Sequence, residues 1–222
     1  MIKSLIHLLR SLGYQINYRP YELNLLGLRA DSSIPNRFDD LFICFYRDGA
    51  GKWILYQWNC TTDPGTYYLN NPLMPEGTAI LAQGQHQFKL GYHRNSYEAL
   101  VQAAPITVIR DYNRNGILDF ASARLMTGWF GINIHRASSS RISTEVNRWS
   151  AGCQVIPDPD QFALLIQLCK YHRQLYGNQF LYSLVDERQF HRNKRTKKIL
   201  AIGGFAMITA AVSGALIFKN NT

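Results

Sequence analysis

The chain has 222 residues, enough for one domain with an ordinary buried core and a tail, and its formal charge of +9 at first suggests a nucleic-acid partner. That excess is local. Seven Lys or Arg lie from Arg188 onward with no Asp or Glu, leaving 17 basic against 15 acidic residues in the first 187, a net +2, so no nucleic-acid partner is expected. Cys44, Cys60, Cys153 and Cys169 form no Cys-x-x-Cys pair and have no metal-ligand spacing, and the first residues lack the cleavage site of a signal peptide.

In chain order, Ile2, Leu5, Ile6, Leu9 and Leu12 recur at helical spacing and end at Gly13, which predicts a short amphipathic helix packed on the domain. From Pro20 to Ile156 short apolar runs alternate with breakers. Residues 41–46, 52–58 and 106–111 are rich in β-branched and aromatic side chains and are expected as strands. Asp63-Pro64-Gly65, Asn70-Asn71-Pro72 and Pro75-Glu76-Gly77 are expected as turns, with Tyr67 and Tyr68 on a polar, aromatic loop suited to covering a cleft. Asp111, Asn113, Asn115 and Asp119 have the spacing of a calcium loop, but Ser122 replaces the Glu at its twelfth position. Asn115-Gly116 between 107–109 and 117–118 is the stronger hairpin signal.

Asp158 and Asp160 precede a helical pattern closed by Gly177, on which Cys169 and His172 read as packing and solvent positions. Residues 180–185 are expected as a last strand. Residues 1–187 thus form a mainly β domain with a few helices (α+β), followed by a basic collar at 188–198, an uncharged segment at 199–218 and a short tail at 219–222. Ile199 to Phe218 is 20 residues without a charge, about 30 Å as a helix, and is expected to cross a lipid membrane. The collar places the domain on the cytoplasmic side. Ala206, Ala210 and Gly214 share one face of such a helix and suit helix–helix self-association.

The stretch from Gly131 to Ile156 holds the chemistry. His135 ends a short apolar run, a loop rich in Ser and Arg follows, and Ser150-Ala151-Gly152-Cys153 leads into Gln154-Val155-Ile156. A cysteine nucleophile needs a base for its proton and N–H groups for the oxyanion, and Gly152 permits a sharp, close backbone turn. Leu90-Gly91-Tyr92-His93-Arg94 echoes Ile132-Asn133-Ile134-His135-Arg136, which makes His93 a second candidate.

The arrangement of His135, an 18-residue step, Ser150, Gly152 and Cys153 resembles the active-site signature of L,D-transpeptidases, cysteine enzymes that act on stem peptides of bacterial peptidoglycan. The resemblance implies a β-sandwich or barrel domain without a cofactor, with Cys153 as nucleophile, His135 as base and a backbone carbonyl orienting the imidazole. It also implies oxyanion donors near Gly152 and Cys153. Apart from the resemblance, Ser150, His93, Arg136, Tyr67 and Tyr68 are expected as substrate contacts. The family's His before the Gly is Ala151 here, and its Arg after the Cys is Gln154.

A peptidoglycan enzyme facing the cytoplasm conflicts with a substrate outside the inner membrane. A phage-type lytic protein, held at a host inner membrane or in a virion membrane until that barrier opens, resolves the conflict. The competing readings are a non-catalytic membrane-anchored structural or peptidoglycan-binding protein with a degenerate site, and a host L,D-transpeptidase in the opposite orientation.

Overall fold

The computed structural model describes residues 2–31, 34–120 and 124–190. The N-terminal half runs α1 (Ile2–Ser11), β1 (Asn24–Arg29), β2 (Asp40–Arg47), β3 (Trp53–Cys60), α2 (Thr66–Asn70), β4 (Thr78–Leu81), β5 (Gly84–His93) and β6 (Tyr97–Gln102). It continues with β7 (Ile106–Asp111), β8 (Arg124–Gly128), β9 (Asn133–Arg136), β10 (Gln154–Ile156), α3 (Pro159–Tyr176), β11 (Phe180–Asp186) and a closing 3₁₀ turn, Glu187–Phe190.

Eight strands form one mixed sheet in the order β10-β9-β6-β5-β11-β1-β2-β3, and β4-β7-β8 form a separate antiparallel sheet. The large sheet curls until its edges meet. Just beyond β3, Thr61 exchanges two 2.9 Å backbone hydrogen bonds with Val155 of β10, which makes the sheet nearly a barrel. The inner face carries Leu25, Phe42, Cys44, Trp58, Phe88, Leu100, Ile134 and Tyr182, all buried. Helix α3 adds Phe162, Leu165, Ile166 and Cys169 to that core, and the small sheet adds Leu81, Ile106 and Val108.

Asp158 caps α3 by accepting the Asp160 N–H at 2.9 Å, and Pro159 opens the first turn, where its missing N–H costs nothing. His172 is buried between the Leu23 N–H and the Gln179 carbonyl. On the outer face, α1 buries Leu5, Leu8 and Leu9 against Leu26, Leu28, Ile43, Phe45 and Val185. At about 1.5–3 kcal/mol for each fully buried side chain, this accounts for a helix too short to persist in water alone.

The sequence-based fold needs correcting. In place of a sandwich or barrel joined to a membrane-crossing helix, the described chain is a curled eight-stranded sheet, a three-stranded sheet and three helices. No helix among the described residues is long and apolar enough to cross a membrane. Ile199–Phe218, its Ala206, Ala210 and Gly214 face, and most of the basic collar lie outside the described residues. The expected hairpin at Asn115-Gly116 also fails. Strand β7 pairs with β8 instead of residues 117–118, so the connection is longer than a two-residue turn.

One buried cation braces the closure. Arg29 is fully buried, donating from Nε to Thr62 Oγ1 at 2.9 Å and from Nη2 to the Thr62 and Leu81 carbonyls at 2.9 and 3.0 Å. Its charge meets Asp63 at 2.8 Å and Asp186 at 3.5 Å. Asp40, buried nearby, accepts from the Thr62 N–H and hydroxyl, and burial together with Asp63 pushes its carboxyl up to about 7.

Candidate active site

Strands β9 and β10 run parallel, with Gln154 beside Ile134 and Val155 beside His135. Alternation along strands sends Ile134 and Gln154 to the inner face, and His135 and Cys153 to the outer one. Cys153 therefore lies two residues along and one strand across from His135. The strand spacing and rise place the two Cα atoms about 8 Å apart, within reach of an imidazole and a thiol.

His135 is buried, and its Nδ1 lies 2.8 Å from the Arg136 carbonyl. A carbonyl only accepts, so Nδ1 carries the proton and Nε2 presents its lone pair. That Nε2 is buried and has no hydrogen-bond partner among the described residues. The Tyr97 hydroxyl donates to the same carbonyl at 3.1 Å. His93, from the end of β5, stacks on His135 with ring centroids 4.0 Å apart and 21° between the planes, and Asn133 holds its Nδ1 at 3.0 Å.

Charge on either imidazole is disfavoured. Burial, then the neighbouring His93, holds His135 down at about 3. Burial, then Arg94 and Arg136, holds His93 at about 4.

The Cys153 thiol keeps some contact with solvent but is ringed by protein atoms, and this desolvation pushes it up to about 11 against the pull of the Asn133 N–H, 3.4 Å away. The pair is thus neutral imidazole beside neutral thiol, with no resting ion pair. Alkylation of Cys153 by iodoacetamide should accordingly accelerate about tenfold per pH unit from pH 7 to 10, as the thiolate fraction does below its pKa. A rate already level by pH 7 would show a preformed thiolate and contradict this arrangement.

The turn before Cys153 is locked. Ser150, fully buried, donates its hydroxyl to the Cys153 carbonyl at 2.8 Å and accepts the Gly152 N–H at 3.1 Å. The Gly152 N–H is therefore taken, and of the expected oxyanion donors the Cys153 N–H is the one with no partner among the described residues. Gly152 has φ +122°, and a Cβ there would sit 2.2 Å from the Ala79 carbonyl oxygen. Gly152→Ala should cost about 1–3 kcal/mol of stability, visible as a lower melting temperature. An unchanged melt would show that the turn relaxes freely.

Comparison with protein-family models, curated proteins and solved structures returns no match. The residues on either side of the Gly152-Cys153 step face different ways. Gln154 points inward, accepting the Tyr182 hydroxyl at 2.8 Å, so no residue here can put a cation into the site from that position. Ala151 lines a cleft of about 370 Å³ with Leu73, Met74, Met126, Trp129 and Phe130.

A second cleft, of about 310 Å³, is lined by His93, Arg94, Tyr97, His135, Arg136, Arg148 and Trp149. Of the other candidates, Tyr67 packs under Arg148 at 4.0 Å, whereas Tyr68 contacts Tyr67 edge-on and lines neither cleft. Among the described residues no group of three or more His, Cys, Asp or Glu could hold a metal. In the calcium-like loop, Asp111 accepts the Asp119 N–H and Asn115 the Ile117 N–H, so backbone amides occupy these oxygens.

Arg94, Tyr97, Arg148 and Asn133 belong to the site without having been singled out beforehand. Arg94 and Asn133 stand in the two echoing stretches and Arg148 in the Ser- and Arg-rich loop, whereas Tyr97 has no signal in the sequence.

Proposed function

We propose that the chain is a cysteine acyl-transfer enzyme that cleaves or exchanges peptide bonds, with peptidoglycan stem peptides as the substrate class its 131–156 stretch suggests by resemblance. The observation that carries the reading is the shared face of β9 and β10. There a buried imidazole with an anchored Nδ1 and an unpartnered Nε2 lies one strand from a thiol on a locked turn.

The thiol is neutral, so proton transfer to His135 Nε2 accompanies attack. The sulfur–carbon bond forms as the carbonyl π electrons move to oxygen, which the Cys153 N–H is placed to meet. Collapse breaks the carbon–nitrogen bond, the amine leaves with the proton from Nε2, and a thioester remains. Water or a second amine then releases the acyl group and restores the thiol.

Incubating the full chain with purified sacculi should release stem-peptide fragments or create new cross-links, read by mass spectrometry of the muropeptides. An unchanged muropeptide profile would refute the substrate class. The reading without catalysis draws on the raised thiol. A covalent adduct separates the two, since only a catalytic Cys153 forms a thioester with the substrate that mass spectrometry of the denatured chain detects.

A further inference from the structure

The cleft beside His135 carries three cations and no anion on its lining. Arg94, Arg136 and Arg148 line it with His93 and His135, and no Asp or Glu is among its lining residues. Acids flanking these segments in the chain are engaged elsewhere: Glu98 bonds Lys170 at 2.5 Å, and Glu145 accepts from Asn147 at 2.9 Å. None of the three arginines pairs with a carboxylate among the described residues. Arg136 and Arg148 instead sit over the rings of Tyr97 and Tyr67, both 4.0 Å from the centroid, a contact that restrains each guanidinium.

Arg94 occupies the left-handed region, φ +49°, in the tight turn joining β5 to β6, where Gly or Asn sits at less cost. What an arginine adds at that place is charge. Three guanidinium groups without a carboxylate partner among the described residues, two of them seated on tyrosine rings, are matched by a planar anion that accepts two bonds at once.

We infer that this cleft binds a carboxylate of the substrate, held by Arg94, Arg136 and Arg148 beside the Cys153–His135 pair. The inference rests on the acyl-transfer reading for the word substrate, but its test does not need turnover. Cys44, Cys60 and Cys169 are buried, so small alkylating reagents report on Cys153. Iodoacetate carries the proposed carboxylate, and iodoacetamide is its neutral counterpart.

At equal ionic strength, the iodoacetate-to-iodoacetamide rate ratio at Cys153 should fall roughly tenfold in the full-length R94M/R136M/R148M variant, because three nearby charges are lost. Taking the ratio cancels any change in thiolate fraction. The R94K/R136K/R148K variant should retain most of the ratio, and raising the salt should lower it in the parent chain. A parent ratio that matches the Met variant and is insensitive to salt would overturn the inference. If sacculi remain undigested while the ratio behaves as stated, the peptidoglycan substrate class fails and the carboxylate site stands.

Discussion

Cys153→Ala is expected to reduce fragment release from purified sacculi by at least about a thousandfold, since the proposed acyl intermediate forms on its sulfur. The substitution removes one sulfur from a half-exposed position. The Asn133 N–H, which points at that sulfur, loses only a long 3.4 Å contact to a side chain that keeps some exposure to water. The melting temperature should therefore stay close to that of the parent, so loss of activity is separable from loss of fold. His135→Gln should be similarly inactive, because the proposed base is the Nε2 lone pair that the anchored Nδ1 leaves free to take the thiol proton. Residual activity near the parent level in Cys153→Ala would remove Cys153 from the mechanism.

Arg29→Met is expected to destabilise the domain by about 3–5 kcal/mol, the usual cost of removing one partner from a buried charge network. The substitution leaves Asp63 and Asp186 buried without their shared cation, and it frees the Thr62 and Leu81 carbonyls. For a domain of this length that lowers the melting temperature by roughly 10 °C. The loss reaches the site. Thr62 follows the residue that pairs with Val155, and Gln154 Nε2 faces the Thr62 carbonyl at 3.5 Å. Cys153 alkylation should therefore change as well. An Arg29→Met chain with parental stability would show that Asp40 and its neighbours take up protons at no cost.

What could be read in the amino-acid order follows from how much each element says about itself. Strands β2, β3, β7 and β11 are apolar runs bounded by breakers, and α3 carries its own cap and stop, so each announces its type locally. Strand β5 alternates correctly, but His86 occupies one of its inward positions and dilutes the apolar signal. Strand β8 is almost wholly exposed, and β9 and β10 have four and three residues, so those three are defined by their partners.

The site divides the same way. Cys153 and His135 share one short stretch of chain and could be paired on paper. Tyr97 and Asn133 act through a neighbouring hairpin and a register, neither of which leaves a local mark. The span expected at 199–218 was read from apolar length alone, and it lies beyond what the structure describes.

The joint between Thr61 and Val155 bears on what holds Cys153 in place. Two backbone hydrogen bonds across 94 positions of chain complete the ring, and Cys153 sits two residues from that joint. Local opening there loosens the turn that carries the thiol. The His93–His135 stack lies on the opposite side of β10, toward β9 and β5, and keeps its own pairing. The ring is therefore a clasp on the thiol's turn that leaves the imidazole pair untouched.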